Sequence, residues 1–159
     1  MRPPSLLAGE MKVSGAPGRL IIHGLGSCVA VFLYDPGPRV GGLAHILLPS
    51  PPPGAIDRLG RYAPTAIATM IEESLRLGAR REAIRAKVSG GSRMFAIEIE
   101  GERPTIGEKN VAAALTALKT EGIEVIASDT GGERGRTVTA DLEDGSLTIS
   151  TIRGEPRVL

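Results

Sequence analysis

The stretch Val29-Ala30-Val31-Phe32-Leu33-Tyr34-Asp35-Pro36-Gly37-Pro38-Arg39-Val40-Gly41-Gly42-Leu43-Ala44-His45-Ile46-Leu47-Leu48 decides how this chain folds. Two apolar runs, Val29–Tyr34 and Gly42–Leu48, flank a turn rich in Pro and Gly. Such runs read as strands, and the short link makes them an antiparallel hairpin. The loop length sets the register. A two-residue loop, Pro36-Gly37, puts Asp35 opposite Pro38 and Cys28 opposite His45. A four-residue loop, Pro36 to Arg39, puts Cys28 opposite Leu47 and His45 on the diagonal. Either even loop keeps residues 28 and 45 on one face of the sheet; an odd loop or a bulge would separate them.

Outward from the hairpin, five more runs read as strands: Leu20–Ile22, Ala86–Ser89, Glu124–Ala127, Thr137–Asp141 and Leu147–Ile152. The last two flank Asp144-Gly145, a hairpin turn signal. Two segments carry helical period. Ile67, Met70, Ile71, Ser74 and Leu75 form one stripe, with Pro64 suited to the first turn and Gly78 to the stop. Val111, Ala114, Leu115 and Leu118 form the other. Thr105 to Glu108 matches a capping box there, and Gly122 ends the helix. Ser50-Pro51-Pro52-Pro53-Gly54 reads as a stiff loop. The expectation is a single α/β (α+β) domain over residues 1–159, a layered sandwich of mixed or antiparallel sheet with two main helices.

Composition narrows the function classes. The 159 residues carry 19 Lys+Arg and 18 Asp+Glu, a net charge of +1, which argues against nucleic acid or an anionic membrane as an obligatory partner. The start of the chain has no apolar core of signal-peptide length, and no apolar run approaches a membrane span. The expected location is cytoplasmic. One cysteine excludes an intramolecular disulfide, and one Cys with two His argues against a metal centre. No cofactor is implied.

That cysteine sits in Gly24-Leu25-Gly26-Ser27-Cys28-Val29-Ala30-Val31. Glycines before the thiol permit a turn that aims successive N–H groups at one point, a nest for a developing oxyanion. Ser27 and Gly26 are the candidate residues of that nest. Cys28 and His45 together form a nucleophile–base pair, in which the imidazole would lower the thiol's effective pKa. The plain alternative is an inert core thiol, a common fate of free cysteine.

These motifs resemble the CheD family, the chemoreceptor glutamine deamidases of chemotaxis. The likeness covers Gly24 to Val31, Leu33-Tyr34-Asp35 and Gly42-Leu43-Ala44-His45 to Pro49. It continues through Lys87-Val88-Ser89-Gly90-Gly91-Ser92-Arg93-Met94-Phe95 and Ile106-Gly107-Glu108-Lys109-Asn110-Val111. It takes in Ala127-Ser128-Asp129-Thr130-Gly131-Gly132 and Gly135-Arg136, and spans nearly the whole chain, from Gly9-Glu10 to the final hairpin. The resemblance implies a layered α/β fold that hydrolyses glutamine side chains on receptor signalling helices, giving glutamate and ammonia. It carries the catalytic Cys and His onto Cys28 and His45, and it implies CheC-type phosphatases as partners. Gly90 and Gly91 would line the substrate groove or simply end a strand.

One position departs from the family pattern. A Thr six residues before the Cys usually completes a triad, and Ile22 stands there, with His23 beside it. Ile cannot hydrogen-bond to an imidazole. A backbone carbonyl could orient His45 instead, His23 could be recruited, or the protein could be a weakly active or inactive module that binds a CheC-type phosphatase. A redox sensor is the weakest reading, because the chain has no resolving Cys.

Overall fold

The Val29–Leu48 stretch forms the antiparallel hairpin that its sequence predicts, β3 (Val29–Asp35) and β4 (Val40–Ile46). The four-residue loop is the one adopted: Asp35 pairs with Val40 and Ala30 with His45. Asp35 supplies a reason. Its buried carboxylate accepts from the Gly37 N–H at 2.9 Å and from the Arg80 N–H at 2.8 Å, closing the turn around itself. Strand β4 stops at Ile46, two residues before the expected end. The Leu47 and Leu48 N–H groups turn away to donate to the Arg61 carbonyl, at 3.0 and 2.9 Å. The computed structural model describes residues 2–54, 57–94 and 104–159, so Phe95 of the quoted motif lies outside the described residues.

Strand β3 is buried along its whole length because both of its faces are covered. It lies at the centre of a five-stranded sheet in the order β1-β4-β3-β5-β6, where β1 is Met11–Gly15, β5 is Arg85–Gly90 and β6 is Glu124–Thr130. The β5–β6 pair is parallel and the others are antiparallel. The second sheet has the order β2-β7-β8-β9, with β2 Arg19–Leu25, β7 Arg136–Asp141, β8 Leu147–Ser150 and β9 Arg157–Val158. The strands β1 and β9 were not expected from sequence, and β8 ends at Ser150, short of Ile152.

Alternation along β3 builds two cores. Val29, Val31 and Leu33 face the helices α1 (Ala63–Arg76) and α2 (Ile106–Thr120), packing with Ile67, Met70, Ile71, Ala114 and Leu118. Ala30, Phe32 and Tyr34 face the second sheet, packing with Leu20, Ile22, Leu25, Val138 and Ile149. The result is three layers, helices on sheet on sheet, an α+β architecture. Both helices lie where their period places them, but each apolar stripe is narrower than expected. Leu75 and Leu115 are 40% and 41% exposed, whereas Ser74 and Asn110 are buried. The Thr105 hydroxyl caps α2, accepting from the Glu108 N–H at 3.2 Å.

Candidate active site

Parity along the central hairpin places the candidate pair. In β4, Ala44 and Ile46 belong to the helix-side core and Leu43 to the inter-sheet core, so His45 faces the second sheet with Leu43. In β3 the inter-sheet residues are Ala30, Phe32 and Tyr34, and Cys28, one step before the strand, packs partly buried against the same core. His45 pairs with Ala30, so Cys28 stands on its diagonal. This is the second of the two registers the sequence allowed.

His45 is buried, at 6% exposure, and the amino-terminal segment wraps around it. The His45 N–H donates to the Glu10 carbonyl at 2.9 Å, and the His45 carbonyl accepts from Gly9 at 2.8 Å. The imidazole Nδ1 lies 3.1 Å from the Leu6 carbonyl oxygen. A carbonyl can only accept, so Nδ1 carries the proton and Nε2 keeps its lone pair. Leu6 is itself anchored, buried in the inter-sheet core with its N–H on the Ile21 carbonyl at 2.8 Å. A backbone carbonyl therefore orients His45, one of the three options the sequence left open. Ile22 is buried opposite Val138 as an ordinary core residue, and His23 is exposed.

The residues before β3 form a turn whose carbonyls are all engaged. Gly26 accepts from the Ser92 N–H at 2.9 Å, Ser27 from Asn110 Nδ2 at 3.0 Å, and Cys28 from the Gly91 N–H at 2.9 Å. In a planar trans peptide the N–H points opposite to the preceding carbonyl. The Ser27 and Cys28 N–H groups thus point away from the partners of Gly26 and Ser27. The Cys28 N–H lies beside its own sulfur.

Gly90 and Gly91 buttress this turn from behind. Gly90 has φ +109°, and a Cβ there would stand 2.4 Å from the Cys28 carbonyl oxygen. Gly107, in the first turn of α2, is equally close-packed: its Cβ would stand 2.4 Å from the Gly91 oxygen. On the outer side, Met94 covers Gly26, where a Cβ would meet Met94 Cγ at 2.8 Å. Ser92 is tied in turn to Arg136, whose Nη1 donates to the Ser92 hydroxyl at 2.6 Å.

Electrostatics leave the pair uncharged at rest. Burial pushes the Cys28 thiol above its ordinary range, and its own N–H offsets part of that. Burial pulls the His45 imidazole below its ordinary value, opposed by the Leu6 carbonyl and by the Glu10 charge. The expected lowering of the thiol pKa by the imidazole is therefore corrected, since desolvation is the largest influence on both groups. Such a pair works by passing a proton from thiol to imidazole as the bond forms, not from a standing ion pair.

Two neighbours escaped the residue-by-residue reading. Asn110 appeared there only inside a family motif, and nothing in its local sequence marks a helix residue that reaches two loops. The buried Ser89 hydroxyl lies opposite Ala30 on the same inter-sheet face as His45, and has no hydrogen-bond partner among the described residues. No group of three or more His, Cys, Asp or Glu among the described residues could hold a metal ion.

A layered α+β fold that sets a single thiol diagonally from an oriented imidazole defines a class, the cysteine–histidine candidates for acyl chemistry. The comparisons give the family. Residues 47–151 match the family model "CheD chemotactic sensory transduction". The chain is 42% identical over 146 residues to the "Chemoreceptor glutamine deamidase CheD" of Thermotoga maritima, covering 92% of this chain and 90% of that protein. It is 46% identical over 125 residues to the "Probable chemoreceptor glutamine deamidase CheD" of Methanococcus vannielii, covering 79% and 80%. This chain belongs to the CheD family. The family-model match begins two residues after His45 and so includes neither Cys28 nor His45.

Proposed function

We propose that this protein is a protein-glutamine deamidase acting on the signalling helices of chemoreceptors, with Cys28 as nucleophile and His45 as base and acid. The observation that carries the reading is the Leu6 carbonyl on His45 Nδ1, because it leaves Nε2 as a base on the face that Cys28 shares. The names of the full-length relatives support the reaction class.

In the first half-reaction the Cys28 thiol gives its proton to His45 Nε2 and its sulfur bonds to the glutamine Cδ. The carbonyl oxygen becomes an oxyanion, held by the Ser27 and Cys28 N–H groups. His45 then passes its proton to the amide nitrogen, the C–N bond breaks, and ammonia leaves a thioester. In the second half, water loses a proton to His45 and attacks the thioester. The C–S bond breaks, the sulfur takes the proton back, and glutamate is released. Losing one oxyanion donor typically costs roughly 10²–10³ in rate.

No cofactor enters these steps. A cytoplasmic location goes with this proposed substrate, and a CheC-type phosphatase is the proposed second partner, testable by co-elution with a purified CheC protein. The reading as a non-catalytic module was motivated by Ile22; the Leu6 carbonyl supplies the orientation that Ile22 cannot. The test is incubation with a receptor signalling-domain fragment while ammonia and Gln-to-Glu conversion are followed. Turnover that Cys28→Ala abolishes supports the proposal, and equal turnover in that variant overturns it.

A further inference from the structure

We infer that Asn110 is a positioning residue, a clamp that sets the distance between the thiol turn and the imidazole strand. This rests on the deamidase reading of Cys28 and His45.

The β3–β4 ladder ends at Val29 and Ile46. Beyond it the chains part, because Leu47 and Leu48 direct their N–H groups to Arg61. The next pair in register would be Cys28 and Leu47, so the ladder fails where the candidate pair sits. Two carbonyls are left without strand partners there: Ser27, just before the thiol, and Leu47, two residues after the imidazole. Asn110, in the first turns of α2 and fully buried, reaches both. Its Nδ2 lies 3.0 Å from the Ser27 oxygen and 3.1 Å from the Leu47 oxygen. An amide nitrogen has two hydrogens, one for each, and two carbonyl neighbours fix which end of the side chain faces them. One side chain thus replaces the missing rung with a bridge of defined length.

A second observation separates this role from packing. Asn110 Oδ1 is buried with no partner among the described residues. An unpaired buried acceptor is unfavourable, and a position with only volume to fill is better served by Leu. The amide is retained at that cost, and what it supplies is the two-ended contact with Ser27 and Leu47. The helix that carries it is itself set by glycine contacts, with Gly107 against Gly91 and Gly91 on the Cys28 carbonyl. The clamp, the thiol turn and the imidazole strand therefore share one packed unit.

The experiment compares wild type, Asn110→Leu and Asn110→Asp. Leucine keeps the bulk and loses both donors; aspartate keeps the shape and turns two acceptors towards the carbonyls. Each is checked for folding by circular dichroism, then assayed with the receptor fragment. The expected result is a folded Asn110→Leu whose kcat falls roughly 10- to 100-fold, the scale of an ångström's misplacement, with KM little changed. Releasing Leu47 loosens the strand end that carries His45, so the acid limb of its pH profile moves up as water reaches the buried imidazole. Wild-type kcat in a folded variant overturns the inference. So does a kcat loss that matches the fraction unfolded, or failure of both variants to fold, since either makes Asn110 a core residue only. A wild type without Cys28-dependent turnover overturns the deamidase reading instead. In that case the pH profile of Cys28 alkylation by iodoacetamide reads the clamp, and identical profiles in wild type and Asn110→Leu overturn it.

Discussion

Gly90→Ala is the substitution whose consequence can be worked most directly from the structure. A Cβ on Gly90 would stand 2.4 Å from the Cys28 carbonyl oxygen and 2.9 Å from Leu25 Cδ2, where ordinary contact begins at 3.4 Å. Relief requires the Cys28 backbone, which is held by Gly91, to move by about 1 Å, a displacement that can cost about 10²-fold in a catalytic rate. The residue also keeps φ +109°, a conformation that costs roughly 1–3 kcal/mol for a side-chain-bearing residue. A chain of this size loses about 2–4 °C of Tm per kcal/mol, so melting falls by about 2–12 °C. Gly54 is the control. It has the same φ of +109° with nothing within 4 Å among the described residues, so Gly54→Ala carries the strain without a collision there and keeps full activity. Ammonia release gives kcat, and a thermal melt gives Tm. A Gly90→Ala protein with the kcat of Gly54→Ala would refute the coupling between this glycine and the thiol turn.

Five further outcomes follow from the geometry and charge. The activity profile against pH has an acid limb below about 6.5, because a buried His45 must lose its proton to act as base and its pKa is depressed. Iodoacetamide alkylation of Cys28 rises only above the ordinary thiol range, and a fast reaction at neutral pH would contradict the uncharged pair. The same depressed imidazole makes stability fall with pH from about 6.5 downwards to the folded-state pKa, because the unfolded chain takes up the proton first; acid melts of wild type and His45→Gln measure the difference. Deleting residues 1–7 removes both the Leu6 acceptor and the cover over His45. Burial is the larger influence, so the imidazole pKa read by NMR rises, and deamidation falls. Tyr34→Phe removes a 2.7 Å bond to the Leu142 carbonyl, costing about 1–3 kcal/mol in a melt while kcat stays unchanged.

The hairpin was legible because strand parity is a strict rule, and Cys28 and His45 fall on one face in either even register. The choice between the registers was not legible. It follows from Asp35, whose carboxylate binds Gly37 nearby but also Arg80, which is remote in sequence. Both helices were readable from their period, yet Leu115 lies outside the core because the sheet below α2 meets Asn110 and Ala117 instead. Strand β1, Met11-Lys12-Val13-Ser14-Gly15, alternates apolar and polar over only four residues, with Met11 and Val13 on the helix-side core, and that short run is held by its pairing with β4. The orienting group for His45 was readable only as a class. A backbone carbonyl carries no side-chain signature, and Leu6 becomes one of the site's neighbours only when the amino-terminal segment docks. Asn110 is similar: its partners are the carbonyls of Ser27 and Leu47, and no spacing rule connects those positions.

The most direct test of the central claim is to catch the covalent step. A receptor signalling-helix fragment is mixed with the protein, quenched in acid within the first turnover, and the intact masses and Cys28 peptide are measured. A Cys28 thioester gives an adduct equal to protein plus fragment minus ammonia, absent from Cys28→Ala. Gln-to-Glu conversion with no such adduct, and undiminished in Cys28→Ala, would contradict it.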